Sequence, residues 1–206
     1  MRNMTIQKFN GILTMADRAT QQKDLRISKS LVFVGLMGAG KSRIGRDLAT
    51  KIGFSFVDTD DEIVSAAGCS ISDIFEHYGE EAFRDLEEKV ISRLLTSKVQ
   101  IIATGGGAFM NPQIRKIISE HGISVWLKAG LNVLVERTTR RKGRPLLEHG
   151  DPATILKGLM NERYPVYGEA DIIVDTQDIP IDDTVNATAD ALAAYIDKQL
   201  EIKYDE

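Results

Sequence analysis

Residues 31–42 read LVFVGLMGAGKS, and the order of features in this stretch decides the fold. The apolar run Leu31 to Val34 leads into Gly35, Leu36, Met37, Gly38, Ala39, Gly40, Lys41 and Ser42, which satisfies GxxxxGK[ST], and a helical pattern follows at once. Strand, glycine-rich loop and helix in that order build a polyphosphate site. Glycine admits positive φ and lets backbone N–H groups approach the anion closely, while the helix turns its positive end to the same place. Lys41 adds a full charge on a long stem, and a serine hydroxyl suits Mg²⁺, which keeps most of its water. The stretch therefore predicts a nucleoside triphosphate site around Gly38, Ala39, Gly40, Lys41, Ser42 and the adjoining Arg43.

The chain has 206 residues, 43% hydrophobic and 27% charged, which suits one α/β domain with an ordinary core. A formal net charge of -4 argues against nonspecific nucleic-acid binding. Cys69 is the only cysteine, so an internal disulfide and a four-cysteine metal site are excluded, and a reducing cytoplasm is the expected setting. His77, His121 and His149 lack metal-ligand spacing. No run is long and apolar enough for a membrane span, and residues 1–27 read as a loosely ordered extension or a short helix.

Downstream, apolar residues at Ile44, Leu48, Ala49 and Ile52 mark a helix stopped by Gly53. A short strand over Ser55 to Val57 delivers Asp58, Thr59 and Asp60 to its carboxyl end, where open α/β sheets place ligand groups; helix capping is the ordinary alternative for Asp58. A short helix opens at Ser70, and a longer one from about Glu80 carries Phe83, Leu86, Val90 and Leu94. Arg84 lies beside that stripe, where an ion pair with Glu80, Glu87 or Glu88 is the simplest role.

Val99 to Ala103 reads as a buried strand ending at Gly105, Gly106 and Gly107, which imply either a strained turn or a close ligand approach. Asn111 and Pro112 open a helix ended by Gly122, and Ile123 to Leu127 forms the next strand, with Trp126 in the core. The basic stretch Arg137 to Arg144, with Gly143 and Pro145, predicts an irregular lid. Asp151 and Pro152 start a helix that Pro165 should end, with Arg163 near its close, and Ile172 to Val174 and a final helix complete the chain. Alternating strands and helices predict a parallel sheet covered on both faces, with the phosphate loop, the Asp58–Asp60 segment and the triple glycine on one edge.

Taken together, GLMGAGKS at 35–42, DTD at 58–60, FRDLE at 83–87, GGG at 105–107, RPLL at 144–147 and ERYPVYGEAD at 162–171 resemble shikimate kinase over about residues 30–200. The resemblance implies a P-loop NTPase-like three-layer α/β/α sandwich with about five parallel strands, a substrate-binding segment at about 59–90 and a lid at about 140–153, all within one kinase domain from 28 to 206. It also implies ATP-dependent phosphorylation of the shikimate 3-hydroxyl, in the route to chorismate and aromatic amino acids. Carried over by position, Ser42 would hold Mg²⁺ with Asp58 acting through water, and Asp60 would orient the attacking hydroxyl. Arg84 and Arg163 would bind the substrate carboxylate, Gly105, Gly106 and Gly107 would line the substrate, and Ile71, Phe75 and Phe83 would form an apolar wall. Arg144 would reach ATP from the lid and take part in catalysis with Lys41 and Asp60, and Arg137 would lie near the adenine. The expected partner is shikimate alone, with no nucleic acid, no membrane and a monomeric chain. A gluconate or nucleoside monophosphate kinase and a slowly hydrolysing switch are the rival readings.

Overall fold

A computed structural model describes residues 27–139, 150–176 and 179–204. The amino-terminal extension up to residue 26 and the lid residues 140–149, Arg144 included, lie outside the described residues.

Five strands form one sheet in the order β2-β3-β1-β4-β5. They are β1 (Ser30–Val34), β2 (Phe56–Asp58), β3 (Ile101–Ala103), β4 (Gly122–Ala129) and β5 (Ile172–Thr176). Every neighbouring pair is parallel, with Phe33 opposite Ala103 on one side and Val125 on the other. Successive side chains of a strand face opposite sides of its sheet, yet Leu31, Val32, Phe33 and Val34 are all buried, so helices cover both faces of β1. Near-continuous burial is why β1, β3 and β4 read as apolar runs, whereas β5, at the sheet edge, alternates buried and exposed residues.

The helices are α1 (Lys41–Ile52), α2 (Thr59–Ala67), α3 (Ile71–Leu95), α4 (Pro112–His121), α5 (Leu131–Thr139), α6 (Pro152–Tyr167) and α7 (Ile181–Tyr204). Predicted caps appear where side chains permit them: Ser70 and Asp73 close a reciprocal capping box, Asn111 accepts from the first turn of α4, and Asp151 accepts from Thr154. The path of α3 breaks at Gly79 (φ 82°, ψ 175°), which separates the short and long helices read from the sequence.

Several boundaries shift by one or two residues from expectation, and two of these differences have a clear cause. Strand β2 ends one residue later than predicted and takes in Asp58, because its ladder with β3 runs through the Asp58–Ala103 pair. Helix α6 does not stop at Pro165 but continues to Tyr167. Proline removes one N–H from the ladder, a small loss in a final turn, and the fully buried Tyr167 anchors the extra residues against Trp126, Phe109 and Tyr164. Trp126 is core, as expected, and Cys69 is half-buried.

Candidate active site

The phosphate loop leaves the buried end of β1 and closes at Gly40, which holds a left-handed conformation (φ 100°) as the N-cap of α1 and offers no side-chain cap. The first-turn N–H groups of α1 thus lack a side-chain acceptor and are suited to an external anion. Lys41 is 9% exposed, and its Nζ donates to the Gly35 and Leu36 carbonyls at 2.8 and 3.0 Å. Ser42 Oγ donates to Asp58 Oδ2 at 2.6 Å, while Asp58 Oδ1 accepts from the Asp60 N–H at 3.1 Å. The capping and functional alternatives for Asp58 therefore coexist: one oxygen caps α2 and the other meets Ser42. Arg43 turns its guanidinium away to Asp47 at 2.7 Å, which leaves its backbone as its contribution to the loop.

Helix α5 closes the other flank. A Cβ placed on Gly38 (φ 85°) would lie 2.9 Å from Thr138 Cγ2, and one on Gly40 would lie 4.0 Å from Arg137 Nη1. Glycine is thus required at Gly38 for both its backbone and its neighbours, and Arg137, expected near the adenine, lies beside the phosphate loop.

The acceptor side is built around the triple glycine, none of whose members has positive φ. The strained turn, one of the two expectations, is absent, and the groups near the backbone are the protein's own. A Cβ on Gly105 would come 2.8 Å from Glu87 Oε1 and 3.3 Å from Asp60 Oδ1; one on Gly107 would come 2.7 Å from Arg84 Nη1. At Gly106 the nearest groups belong to the phosphate loop, with Met37 N at 3.5 Å and Gly35 O at 3.6 Å. Thr59 Oγ1 accepts from the Gly105 N–H at 3.2 Å, fixing the Asp58–Asp60 turn to this floor. Arg163 Nη1 donates to the Gly106 carbonyl at 3.1 Å, and the Tyr167 hydroxyl donates to the same oxygen.

Arg84 makes the ion pairs read from the sequence, to Glu80 at 3.1 Å and Glu87 at 2.7 Å, and still borders Gly107. Glu87 is 1% exposed at its side chain, and its Oε1 has no hydrogen-bond partner among the described residues. Burial pushes the Glu87 carboxyl up from its ordinary value, against the pull of Arg84 and Arg163. Asp60 is also raised, by the crowding of the cleft first and by the Asp58 carboxylate second, with Lys41 and Arg84 opposing; its accessible surface shows that the group still meets solvent. Phe75 and Phe83 stack with ring centroids 4.7 Å apart, Phe83 buried and Phe75 exposed, and Arg84 lies over the Phe83 ring at 5.1 Å. Ile71 is partly buried against the core nearby.

Sequence reasoning assigned no separate role to Glu87, Tyr167 or Thr59. Spacing held two of the signals: Glu87 follows Arg84 by three residues, and Tyr167 follows Arg163 by four, so each pair shares a helix face.

A cradle for phosphates thus faces a carboxylate and an arginine-lined floor across one cleft at the carboxyl edge of a parallel sheet, the arrangement of a P-loop phosphotransferase for small molecules. A family model described as "Shikimate kinase" matches residues 37–193. A shikimate kinase from Paramagnetospirillum magneticum is 50% identical over 186 residues, 89% of this chain and 95% of the relative. One from Mesorhizobium japonicum is 52% identical over 73% of this chain and 74% of its own. A solved structure of shikimate kinase from Acinetobacter baumannii in complex with shikimate superposes with a TM-score of 0.79 at 34% identity, covering 84% of this chain and 97% of that one. The chain belongs to the shikimate kinase family.

Proposed function

We propose that the cleft transfers the γ-phosphate of ATP to the 3-hydroxyl of shikimate, giving shikimate 3-phosphate and ADP. One observation carries the assignment of roles: Asp60, Arg84, Glu87 and Arg163 converge on the triple glycine, whose middle member abuts the phosphate loop. The backbone of residues 38–42 and Lys41 hold the phosphates, with Arg137 beside them. Arg84 and Arg163 take the acceptor carboxylate, whose planar geometry matches guanidinium donors. Gly105, Gly106 and Gly107 line the floor, and Ile71, Phe75 and Phe83 give the apolar wall. Arg144 keeps its proposed place in the lid.

The Ser42 hydroxyl and the Asp58 carboxylate, 2.6 Å apart, form an all-oxygen donor pair that fits Mg²⁺. Ser42 would hold the ion, with Asp58 acting through water, and the ion supplies charge neutralisation on the phosphates when bound. The transfer itself forms a bond from the 3-hydroxyl oxygen to the γ-phosphorus and breaks the bond from that phosphorus to the bridging oxygen, which leaves with ADP. Asp60 aligns the hydroxyl and accepts its proton. Its raised pKa makes it a better acceptor than an ordinary aspartate. Lys41 follows the charge on the leaving phosphates. This reading takes the chain as a cytoplasmic monomer, since one chain supplies every side chain assigned to the site and the lone Cys69 suits a reducing compartment.

ADP release with Mg·ATP, measured against shikimate, gluconate, nucleoside monophosphates and no acceptor, tests the reading. Shikimate-dependent turnover is expected. Equal rates without an acceptor would replace the kinase with a hydrolytic switch.

A further inference from the structure

The Gly106 carbonyl accepts two hydrogen bonds from one helix face: Arg163 Nη1 at 3.1 Å and the Tyr167 hydroxyl. The two donors stand four residues apart on α6, so they project together, and both cross from α6 to the loop after β3. On its other side the same glycine faces the phosphate loop: a Cβ built on it would lie 3.5 Å from Met37 N and 3.6 Å from Gly35 O. The peptide of Gly106 therefore sits between the helix that carries a substrate arginine and the loop that carries the phosphates.

Tyr167 is fully buried, and its ring is fixed by Phe109, Trp126 and Tyr164, with centroids 6.3, 5.8 and 6.2 Å away. A hydroxyl in such a place has no water to donate to, so its bond to Gly106 is lost outright if that peptide moves. Burial raises its pKa to about 12, which keeps the phenol protonated and donating throughout the working pH range. Arg163 keeps donors in reserve: its Nε has no hydrogen-bond partner among the described residues and lies 3.7 Å from Glu162 Oε1, too far for a hydrogen bond.

We propose that Tyr167 is a positioning residue that tethers the Gly106 peptide, so that Arg163 presents its remaining N–H groups to the acceptor carboxylate in register with the phosphate cradle. Without the hydroxyl, Arg163 becomes the sole tether and must divide its donors between the loop carbonyl and the substrate. The inference rests on the assignment of Arg163 to that carboxylate.

Steady-state kinetics of Tyr167→Phe, Arg163→Lys and the double variant test it. Tyr167→Phe should raise the KM for shikimate on the order of fivefold to tenfold and shift the KM for ATP less than about twofold, the size expected for one lost hydrogen bond. Its effect should shrink in the Arg163→Lys background, because the two donors share an acceptor. A purely structural hydroxyl predicts no such split; equal rises in both KM values, or none, overturn the tether. Arg163→Lys separates the claims: an unchanged shikimate KM there overturns the carboxylate assignment and this inference with it, while a raised one beside a normal Tyr167→Phe overturns the tether alone. Should Tyr167→Phe not fold, the wild-type protein decides by proton NMR. A slowly exchanging Tyr167 hydroxyl proton is expected, and one lost to fast exchange with water overturns the proposal.

Discussion

Asp60 combines a raised pKa with a place in the first turn of α2, so its catalytic and electrostatic roles can be read separately. Asp60→Asn keeps the shape and removes the proton acceptor; turnover should fall by roughly two to four orders of magnitude while ATP affinity, measured by calorimetry, holds. Wild-type turnover would take Asp60 out of the mechanism. A carboxylate must lose its proton before it can accept one, so the rate should climb as pH rises through the Asp60 pKa. The inflection of kcat/KM for shikimate should lie above the ordinary 3.8 and disappear in the asparagine variant. Gly107→Ala probes the opposite wall. The added Cβ meets the end of the Arg84 side chain at 2.7 Å, a group that can move. Thermal stability should therefore change little while the KM for shikimate rises severalfold, the reverse of an ordinary core substitution.

Secondary elements bring these groups together by contacts that leave little spare volume. Helix α1 passes so close to β2 that a Cβ on Gly45 would lie 2.9 Å from Phe56 Cε2. Alanine would gain about 1 kcal/mol of helix propensity there, but overpacking costs typically ~1–3 kcal/mol, so Gly45→Ala should lower the thermal midpoint. A rise in the midpoint would show that α1 can draw back. The elements were the most legible part of the chain. Apolar runs at Leu31 to Val34 and Ile123 to Leu127, the Asn111-Pro112 and Asp151-Pro152 helix starts and the Gly53 stop follow local chemistry, and each appears in the structure. Pro165 misled because a proline's effect depends on what holds the residues beyond it. Tyr167 holds them by burial, a tertiary fact that no local pattern carries. Arg84 was ambiguous for a related reason: its helical neighbours do pair with it, and only the packing of Gly107 shows that it also borders the cleft.

Across the whole molecule, parallel pairing sends every strand's carboxyl end to one edge, so segments far apart in sequence reach a common cleft. That convergence follows from topology and was readable from the order of motifs alone. The mutual distances were not, because the close packing at Gly105 and Gly107 comes from Glu87 and Arg84 on α3, which no local pattern around the glycines records. Removal of residues 1–25 should leave both Michaelis constants nearly unchanged, since every residue assigned to the site lies at Gly38 or beyond and Ile27, which is kept, packs against the core. A large loss of activity on truncation would give the extension a role. Lys41, meanwhile, rests on the carbonyls of its own loop. A lysine side chain surrenders about 1.5–2 kcal/mol of rotational freedom when fixed, and here much of that loss has been incurred during folding. An arriving nucleotide therefore recruits a charge that is already quieted, and the lysine's share of the ordering penalty falls on the fold, not on the encounter.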